Sequence, residues 1–297
     1  GMHRAHFVPS FRMRQTEVRR PWAHSPSTER LKMFDFVYDI PTTTFAIYCT
    51  VFFVGLTWLG IIFVKPIFLF IIGREPDINN LISHTTSGFS LFYGLLLGLL
   101  SVAVYQNYEK VSSAAFQEAS DLASLYRNAS NYPEPGRSEV LGLLRDYTLY
   151  TVYKDWPAHR EGKIYLGGGS RLSVILQKLL QFEPKTASAE ILQGQMLQNF
   201  NALLEARQRR LAGVNTRIPG ILWFVVAIGA AATIILIWML RMRFMTHIVL
   251  GGMVAFFLGV VIFFVAAMDN PMRGEISVGS TPYMTVYEAL MQWDEDT

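Results

Sequence analysis

The stretch "SGFSLFYGLLLGLLSVAVYQNYEKVSSAAFQEASDLASLYRNAS", Ser87 to Ser130, decides the fold. Its first half is apolar enough for a bilayer, and its second half is polar. No proline interrupts it, and no glycine follows Gly98. In the polar half, Val111, Ala115, Ala119, Leu122, Tyr126 and Ala129 recur at three- and four-residue steps, which is one helix face. The stretch predicts a single helix that leaves the membrane without stopping. At about 100° per residue, Ser87, Ser90, Gly94, Gly98 and Ser101 of the apolar half share a sector of about 80°. Ser90, Gly94 and Gly98 form a small-xxx-small series. Two readings follow. The series packs closely inside one subunit, or the face turns toward an oligomer axis with Leu91 and Leu95 forming an apolar constriction.

Three more runs are long enough to cross a hydrocarbon core of about 30 Å at about 1.5 Å per residue. "FAIYCTVFFVGLTWLGIIFV" covers Phe45 to Val64, "GILWFVVAIGAAATIILIWML" covers Gly220 to Leu240, and "FMTHIVLGGMVAFFLGVVIFFVAAM" covers Phe244 to Met268. Lys65 and Pro66 close the first run. The "IFLFIIG" beyond them reads as interfacial or as more of a tilted span, with Lys65 snorkelling to headgroups. Arg241, Met242 and Arg243 alone separate the last two runs, which makes them a tight hairpin. Gly251, Ala255 and Gly259 form a second small-residue series. Cys49 is the sole cysteine, so no internal disulfide is possible, and it reads as a small buried apolar residue.

The chain has 297 residues, 51% hydrophobic and 16% charged, with a net charge of +3. That charge is too small to argue for nucleic acid. Basic residues gather instead beside the apolar runs. The arm before the first span carries Arg4, Arg12, Arg14, Arg19, Arg20, Arg30 and Lys32, broken by Pro9, Pro21 and Pro26. Lys110, Arg207, Arg209, Arg210, Arg217 and Arg273 lie near span ends on the same side. Lys65, Arg74, Arg241 and Arg243 lie on the other. The positive-inside rule therefore predicts an inner (plasma) membrane protein with both termini cytoplasmic. Gly1 is expected to be a tag or processing remnant, with Met33 a candidate start.

The expected organisation is a largely disordered basic arm over 1–40, spans one and two over 41–106, a helical cytoplasmic region over 107–218, spans three and four over 219–268, and a cytoplasmic tail over 269–297. The fold class is all-α, four transmembrane helices with a helical cytoplasmic region continuous with helices two and three. Within that region "YPEPGR" is a break, a helix from about Ser138 to Trp156 stops at Pro157, "REGKIYLGGGS" is a loop, and helices follow over Arg171–Phe182 and from Ala187. At the end of the fourth span, "MDNPMRG" reads as a structural stop. Asp269 or Asn270 caps local backbone, Pro271 ends the helix and Gly274 permits a turn.

Chemistry-bearing patterns are sparse. "GGGS" at Gly167 to Ser170 lacks the lysine of a phosphate-binding loop. His84, His159 and His247 have no histidine or carboxylate partner at helical spacing, so no metal site is expected. No nucleophile elbow is present. The deep parts of the spans hold no Asp, Glu, Lys or Arg, which argues against a proton-coupled carrier. No cofactor and no enzymatic activity are expected. The acidic Asp294, Glu295 and Asp296 read as a solvated terminus.

"DIP" before the first span, "YGLLLGLLSVAVYQNYE", "EASDLASLYRNASNYPEP", "LLRDY", "LLEARQRRL", "PGILWFVVAIGAAAT" and "MDNPMRG" together resemble the bestrophin-like domain family of mostly bacterial membrane proteins. Bestrophins proper are homopentameric anion channels with a Ser-x-x-x-Gly motif on the pore helix. Ser90 and Gly94 match it, and Tyr105, Gln106 and Tyr108 match its end one residue out of step. On this register the neck positions fall on Ser87, Leu91 and Leu95, where bestrophins are richer in aromatics. The resemblance implies a homo-oligomeric channel for small inorganic anions in the lipid bilayer. Ser87, Ser90, Leu91, Gly94, Leu95 and Gly98 would line its pore, and Lys110 would stand in a vestibule. The alternative is a non-conducting scaffold or sensor whose cytoplasmic helices bind a partner.

Overall fold

The computed structural model describes residue 38 and residues 40–72 and 78–292. The basic arm up to residue 37 and the acidic Asp294, Glu295 and Asp296 lie outside the described residues, as does Arg74. Every regular element among the described residues is helical. In chain order these are α1 (Thr42–Leu59), α2 (Lys65–Ile72), α3 (Ile78–Ala129), α4 (Gly136–Tyr150), α5 (Trp156–Arg160), α6 (Gly167–Gln181), α7 (Ala187–Val214), α8 (Gly220–Met239), α9 (Phe244–Ala267) and α10 (Thr281–Val286). Among the described residues, four helical runs are long and apolar enough to span a membrane: Thr42–Phe68, Ile78–Ala129, Gly220–Met239 and Phe244–Ala267. The molecule is an all-α integral membrane protein.

Two prolines sit inside helical runs, each just after a π-helical turn. Gly60–Val64 joins α1 to α2 ahead of Pro66, and Thr151–Asp155 joins α4 to α5 ahead of Pro157. Proline has no N–H, and its ring collides with the carbonyl four residues back. A wider turn moves that carbonyl aside. The first span therefore continues through Pro66. The helix expected to stop at Pro157 runs on to Arg160, a correction to the sequence reading.

The "GGGS" segment, expected to be loop, is the first turn of α6. A Cβ on Gly167 would lie 2.2 Å from the Tyr150 hydroxyl, and one on Gly168 would lie 2.6 Å from an Asp155 carboxylate oxygen. The glycines are there for close approach rather than for flexibility.

The long helix α3 contributes to two cores. Its apolar half packs Tyr93, Leu97, Leu100 and Val104 with Val226, Ala230 and Ile234 of α8 and Leu258 and Val265 of α9. Its polar half packs Val111, Ala115, Ala119, Leu122, Leu125 and Tyr126 with Leu144 and Tyr147 of α4, Leu172 and Ile175 of α6, and Phe200 and Leu203 of α7. The predicted continuity with the second span is thus a single 52-residue helix. Toward the third span, the chain passes from Val214 to Gly220 through a short non-helical link. Pro219 stands at the N-cap of α8, where a missing N–H leaves no helical bond unmade.

Between membrane helices the contacts run through glycine. A Cβ on Gly259 would come within 3.0 Å of the Thr50 Cα and 3.2 Å of the Cys49 carbonyl, so α1 and α9 touch backbone to backbone there. Cys49 is half-buried at this contact rather than fully buried. Gly251 faces Ile61, Ile237 and Thr57, and Gly252 faces the Trp58 indole, whose Nε1 donates to the Ile248 carbonyl at 3.1 Å. Gly60 makes room for Trp238, and Gly229 for Tyr93. Lys65 does not snorkel freely. Its Nζ donates to the Met242 carbonyl at 3.3 Å and lies 2.6 Å from His247 Nδ1, tying the first span to the α8–α9 hairpin.

The segment after α9 is held by side chains. Asp269 reaches across to accept from the Ile218 N–H at 2.6 Å, so it caps the entry to the third span rather than its own helix. Asn270 accepts locally from the Met272 N–H at 3.0 Å. Gly274 takes φ +81°, the left-handed turn expected of it.

A candidate pore-lining face on the second span

The apolar half of α3 shows two unlike sides. Ile82, Tyr93, Leu97, Leu100 and Val104 point into the subunit. Tyr93 is fixed there because its hydroxyl donates to the Val226 carbonyl at 2.8 Å. The rest of its surface is open: Ser87, Ser90, Leu91, Gly94, Leu95 and Gly98 are all exposed in the single subunit, as are Phe92, Leu99 and Val102. Leu91 is 72% and Leu95 62% exposed. A Cβ added to Gly94 or Gly98 would meet nothing within 4 Å.

The two small-residue series of the sequence therefore behave differently. Gly251, Ala255 and Gly259 of α9 are buried against α1. Ser90, Gly94 and Gly98 of α3 are exposed, and among the described residues neither glycine has a neighbour against its open side. The hydroxyl of Ser87 donates back to the Ser83 carbonyl at 2.9 Å, so its polar demand is met within the helix. Lys110 is exposed on the same helix, about 60° round from Leu95 at about 100° per residue.

The polar half of α3 holds an arrangement that sequence reasoning missed. Glu118 and Arg210 are both fully buried. Arg210 Nε donates to Glu118 Oε2 at 2.7 Å and Nη2 to Oε1 at 3.1 Å, a two-point pairing across α3 and α7. The Tyr147 hydroxyl donates to Glu118 Oε1 at 2.6 Å. Arg210 Nη1 meets His159 Nδ1 at 3.0 Å. The guanidinium also lies 5.1 Å from the Trp156 ring centroid and 5.7 Å from that of Tyr283. Trp156 in turn donates to the Val278 carbonyl at 3.0 Å. One arginine thus joins α3, α5, α7 and α10.

Arg210 was read as one of the basic residues flanking the membrane, and it is instead a core residue. Arg207 and Arg209 are likewise engaged, with Asp155 at 3.9 Å and Glu205 at 2.5 Å. His159, read as partnerless, is the acceptor for Arg210. Burial, then the nearby Arg210 and Arg207 guanidinium groups, push the His159 imidazole down to about 3. It is neutral at physiological pH, which leaves Nδ1 free to accept. Burial raises the phenols of Tyr147 and Tyr283. Burial also raises the Asp155 carboxyl, against the pull of Arg210 and Arg207. Among the described residues, no cluster of histidine, cysteine, aspartate or glutamate is placed to hold a metal ion. The buried set positions helices.

Comparison with known proteins gives one consistent result. Residues 51–283 match the Bestrophin-like domain family. No curated protein sequence matches the chain. Among solved structures, a membrane protein superposes with a TM-score of 0.64 at 10% identity, covering 83% of this chain and 97% of that one. Two single-substitution forms of a bacterial bestrophin homologue from Klebsiella pneumoniae superpose with TM-scores of 0.62 and 0.61 at 12% and 11% identity. They cover 82% and 83% of this chain, and 97% and 98% of their own. At these identities the likeness is one of fold.

Proposed function

The chain belongs to the Bestrophin-like domain family, and from that premise we propose that it is a subunit of an oligomeric ion channel whose pathway is lined by the second span. The supporting observation is the uncovered strip Ser87, Ser90, Leu91, Gly94, Leu95 and Gly98. Gly60, Gly229, Gly251, Gly252 and Gly259 each admit a neighbouring helix, whereas among the described residues a Cβ on Gly94 or Gly98 of this strip would meet nothing within 4 Å. In a ring of subunits, small residues let the spans approach the axis, and Leu91 and Leu95 form apolar collars. Collars of this kind gate by excluding water. Small inorganic anions are the proposed permeant ions, with Lys110 attracting them in a vestibule. A pentamer in the plasma membrane with cytoplasmic termini completes the reading, by the family's pattern and the distribution of Lys and Arg.

The test is chloride efflux from liposomes holding the purified oligomer. Efflux is expected, and Leu95→Arg is expected to change it because a ring of guanidinium groups replaces an apolar collar. Efflux identical in wild type, Leu95→Arg and Leu91→Ala would remove the second span from the pathway. Folded, oligomeric protein with no efflux would shift the reading to a non-conducting scaffold.

A further inference from the structure

Among the described residues, two histidines are engaged inside the fold. His159 accepts from Arg210, and His247 is held between the Lys65 Nζ at 2.6 Å and the Ile237 carbonyl at 2.9 Å. His84 differs from both. It is exposed on the second span, and among the described residues no hydrogen bond or ion pair engages its imidazole. Within one chain it has no further ligand beside it, in keeping with the lack of a metal-holding cluster among the described residues.

Its place on α3 is specific. His84 precedes Leu91 by seven residues and Leu95 by eleven. At about 100° per residue it falls between the two in azimuth, about 20° from each. At about 1.5 Å per residue it stands about 10 Å beyond Leu91, on the side away from the polar half. The turn between them carries Ser87 and Gly88, and a Cβ on Gly88 would meet nothing within 4 Å. No bulky neighbour on that turn separates the imidazole from what the Leu91–Leu95 face meets. From Ile78 to Leu100 the sequence has no Asp, Glu, Lys or Arg. The contact of this helix end with the α8–α9 link, from the Arg241 N–H to Asn79 Oδ1 at 2.8 Å, lies about 140° round the helix, so His84 faces away from that link.

Turned toward an axis, this placement makes a set out of a single histidine. Each subunit of the ring contributes one imidazole at the same depth, and symmetry brings together the nitrogen ligands that one chain lacks. Zn²⁺ takes imidazole nitrogens at about 2.0–2.1 Å in a tetrahedral shell, with a water or an anion in any open position.

We propose that the His84 imidazoles of neighbouring subunits form a shared site for a transition-metal dication such as Zn²⁺, at the end of the pathway away from the polar half. The proposal rests on the reading that the second span faces the oligomer axis, and it adds a ligand to that reading. A metal ion held there stands in line with the Leu91 and Leu95 collars and closes the pathway.

The experiment titrates Zn²⁺ into the purified full-chain oligomer by calorimetry, for wild type and His84→Gln in parallel. His84 is exposed, so the variant is expected to keep its fold and its oligomer size. Wild type is expected to take up one more ion per oligomer than the variant. Acid should weaken that extra binding, because an imidazole must be unprotonated to hold a metal. Chloride efflux from liposomes is then measured with the same proteins. At a Zn²⁺ concentration about ten times the dissociation constant, wild-type efflux should fall about tenfold and His84→Gln efflux should stay as it was. Equal Zn²⁺ uptake by the two proteins would overturn the proposal. So would a difference of one ion per subunit, which is an unshared site, or wild-type efflux that saturating Zn²⁺ leaves unchanged. The two readings fail separately. Equal uptake with efflux that still responds to Leu95→Arg removes the metal site and keeps the channel. One extra ion per oligomer in a protein without efflux keeps the shared site and removes conduction.

Discussion

The membrane half and the polar half of this chain join helices by opposite means. In the membrane half, Gly60, Gly229, Gly251, Gly252 and Gly259 each yield their side-chain space to a neighbour. Lipid offers no hydrophobic drive between helices, so attraction there depends on close backbone approach. In the polar half, a buried Glu118–Arg210 pair with Tyr147, His159, Trp156 and Tyr283 around it connects five helices. Burying charge in water-surrounded protein is costly, and the return is a fixed register more than added stability. The halves also differ in completeness. The polar half covers the inner face of α3, while the membrane half leaves the Leu91–Leu95 strip open. The comparison teaches that α3 is anchored at one end and available at the other.

The largest way to break this contrast is Arg210→Ala. It leaves Glu118 buried without a counter-charge, at a cost of about 3–5 kcal/mol. Thermal unfolding in detergent should show a large fall, and Arg210→Met combined with Glu118→Leu should recover most of it. An Arg210→Ala protein as stable as wild type would mean that the pair does not organise the polar half.

Next comes Gly259→Ala. The new methyl would press on the Thr50 backbone, which cannot rotate away, and overpacking of this kind costs about 1–3 kcal/mol. The same thermal measurement reads it, with an unchanged midpoint as the contrary result.

A smaller effect concerns acid. His159 has a folded value near 3, below the unfolded value of about 6.5. Its contribution is complete above about 6.5 and is lost as pH falls toward 3, because the unfolded chain takes the proton first. The loss is at most about 1.4 kcal/mol per pH unit. The buried Asp155 carboxyl acts in the other sense on acidification, so the difference between wild type and His159→Gln isolates the histidine. Stability should fall more steeply for wild type between about pH 6.5 and 5. Parallel curves would contradict it.

The smallest expected change is in Gly94→Ala. Open space surrounds the position, so the subunit fold should hold or gain up to about 1 kcal/mol from helix propensity. Any loss should appear in oligomer size instead, read by light scattering. A destabilised monomer would show that the strip is covered within the chain.

The spans were legible because 20 apolar residues in a row have few uses in a chain of this composition. The unbroken α3 was legible from one face repeating across its polar half. The ion pair was not read, although its signal was present. Glu118 stands between Ala115 and Leu122 on the very face that predicted a core, and Arg210 follows Leu203 by seven residues on the core face of α7. Its position in the basic "EARQRR" made it look like a membrane flank. What each glycine does could not be read at all. Ser90-x-x-x-Gly94 and Ala255-x-x-x-Gly259 are the same pattern, and only the neighbouring helix distinguishes them. The π turns escaped for a related reason, since nothing in the local residue types announces the extra residue per turn.

One helix carries both the open strip and half of the buried pair, and this sets a rule for how the gene can change. Leu95 and Glu118 lie 23 positions apart on α3, about 140° round the axis at about 100° per residue. Inserting or deleting one codon between them would swing one feature by about 100° against the other. Either the strip would turn into its own subunit or the carboxylate would leave its arginine. A change of seven residues shifts the phase by only about 20°. Descendants of this chain should therefore accept new lengths freely in the loops, and along this helix only in near-heptad steps.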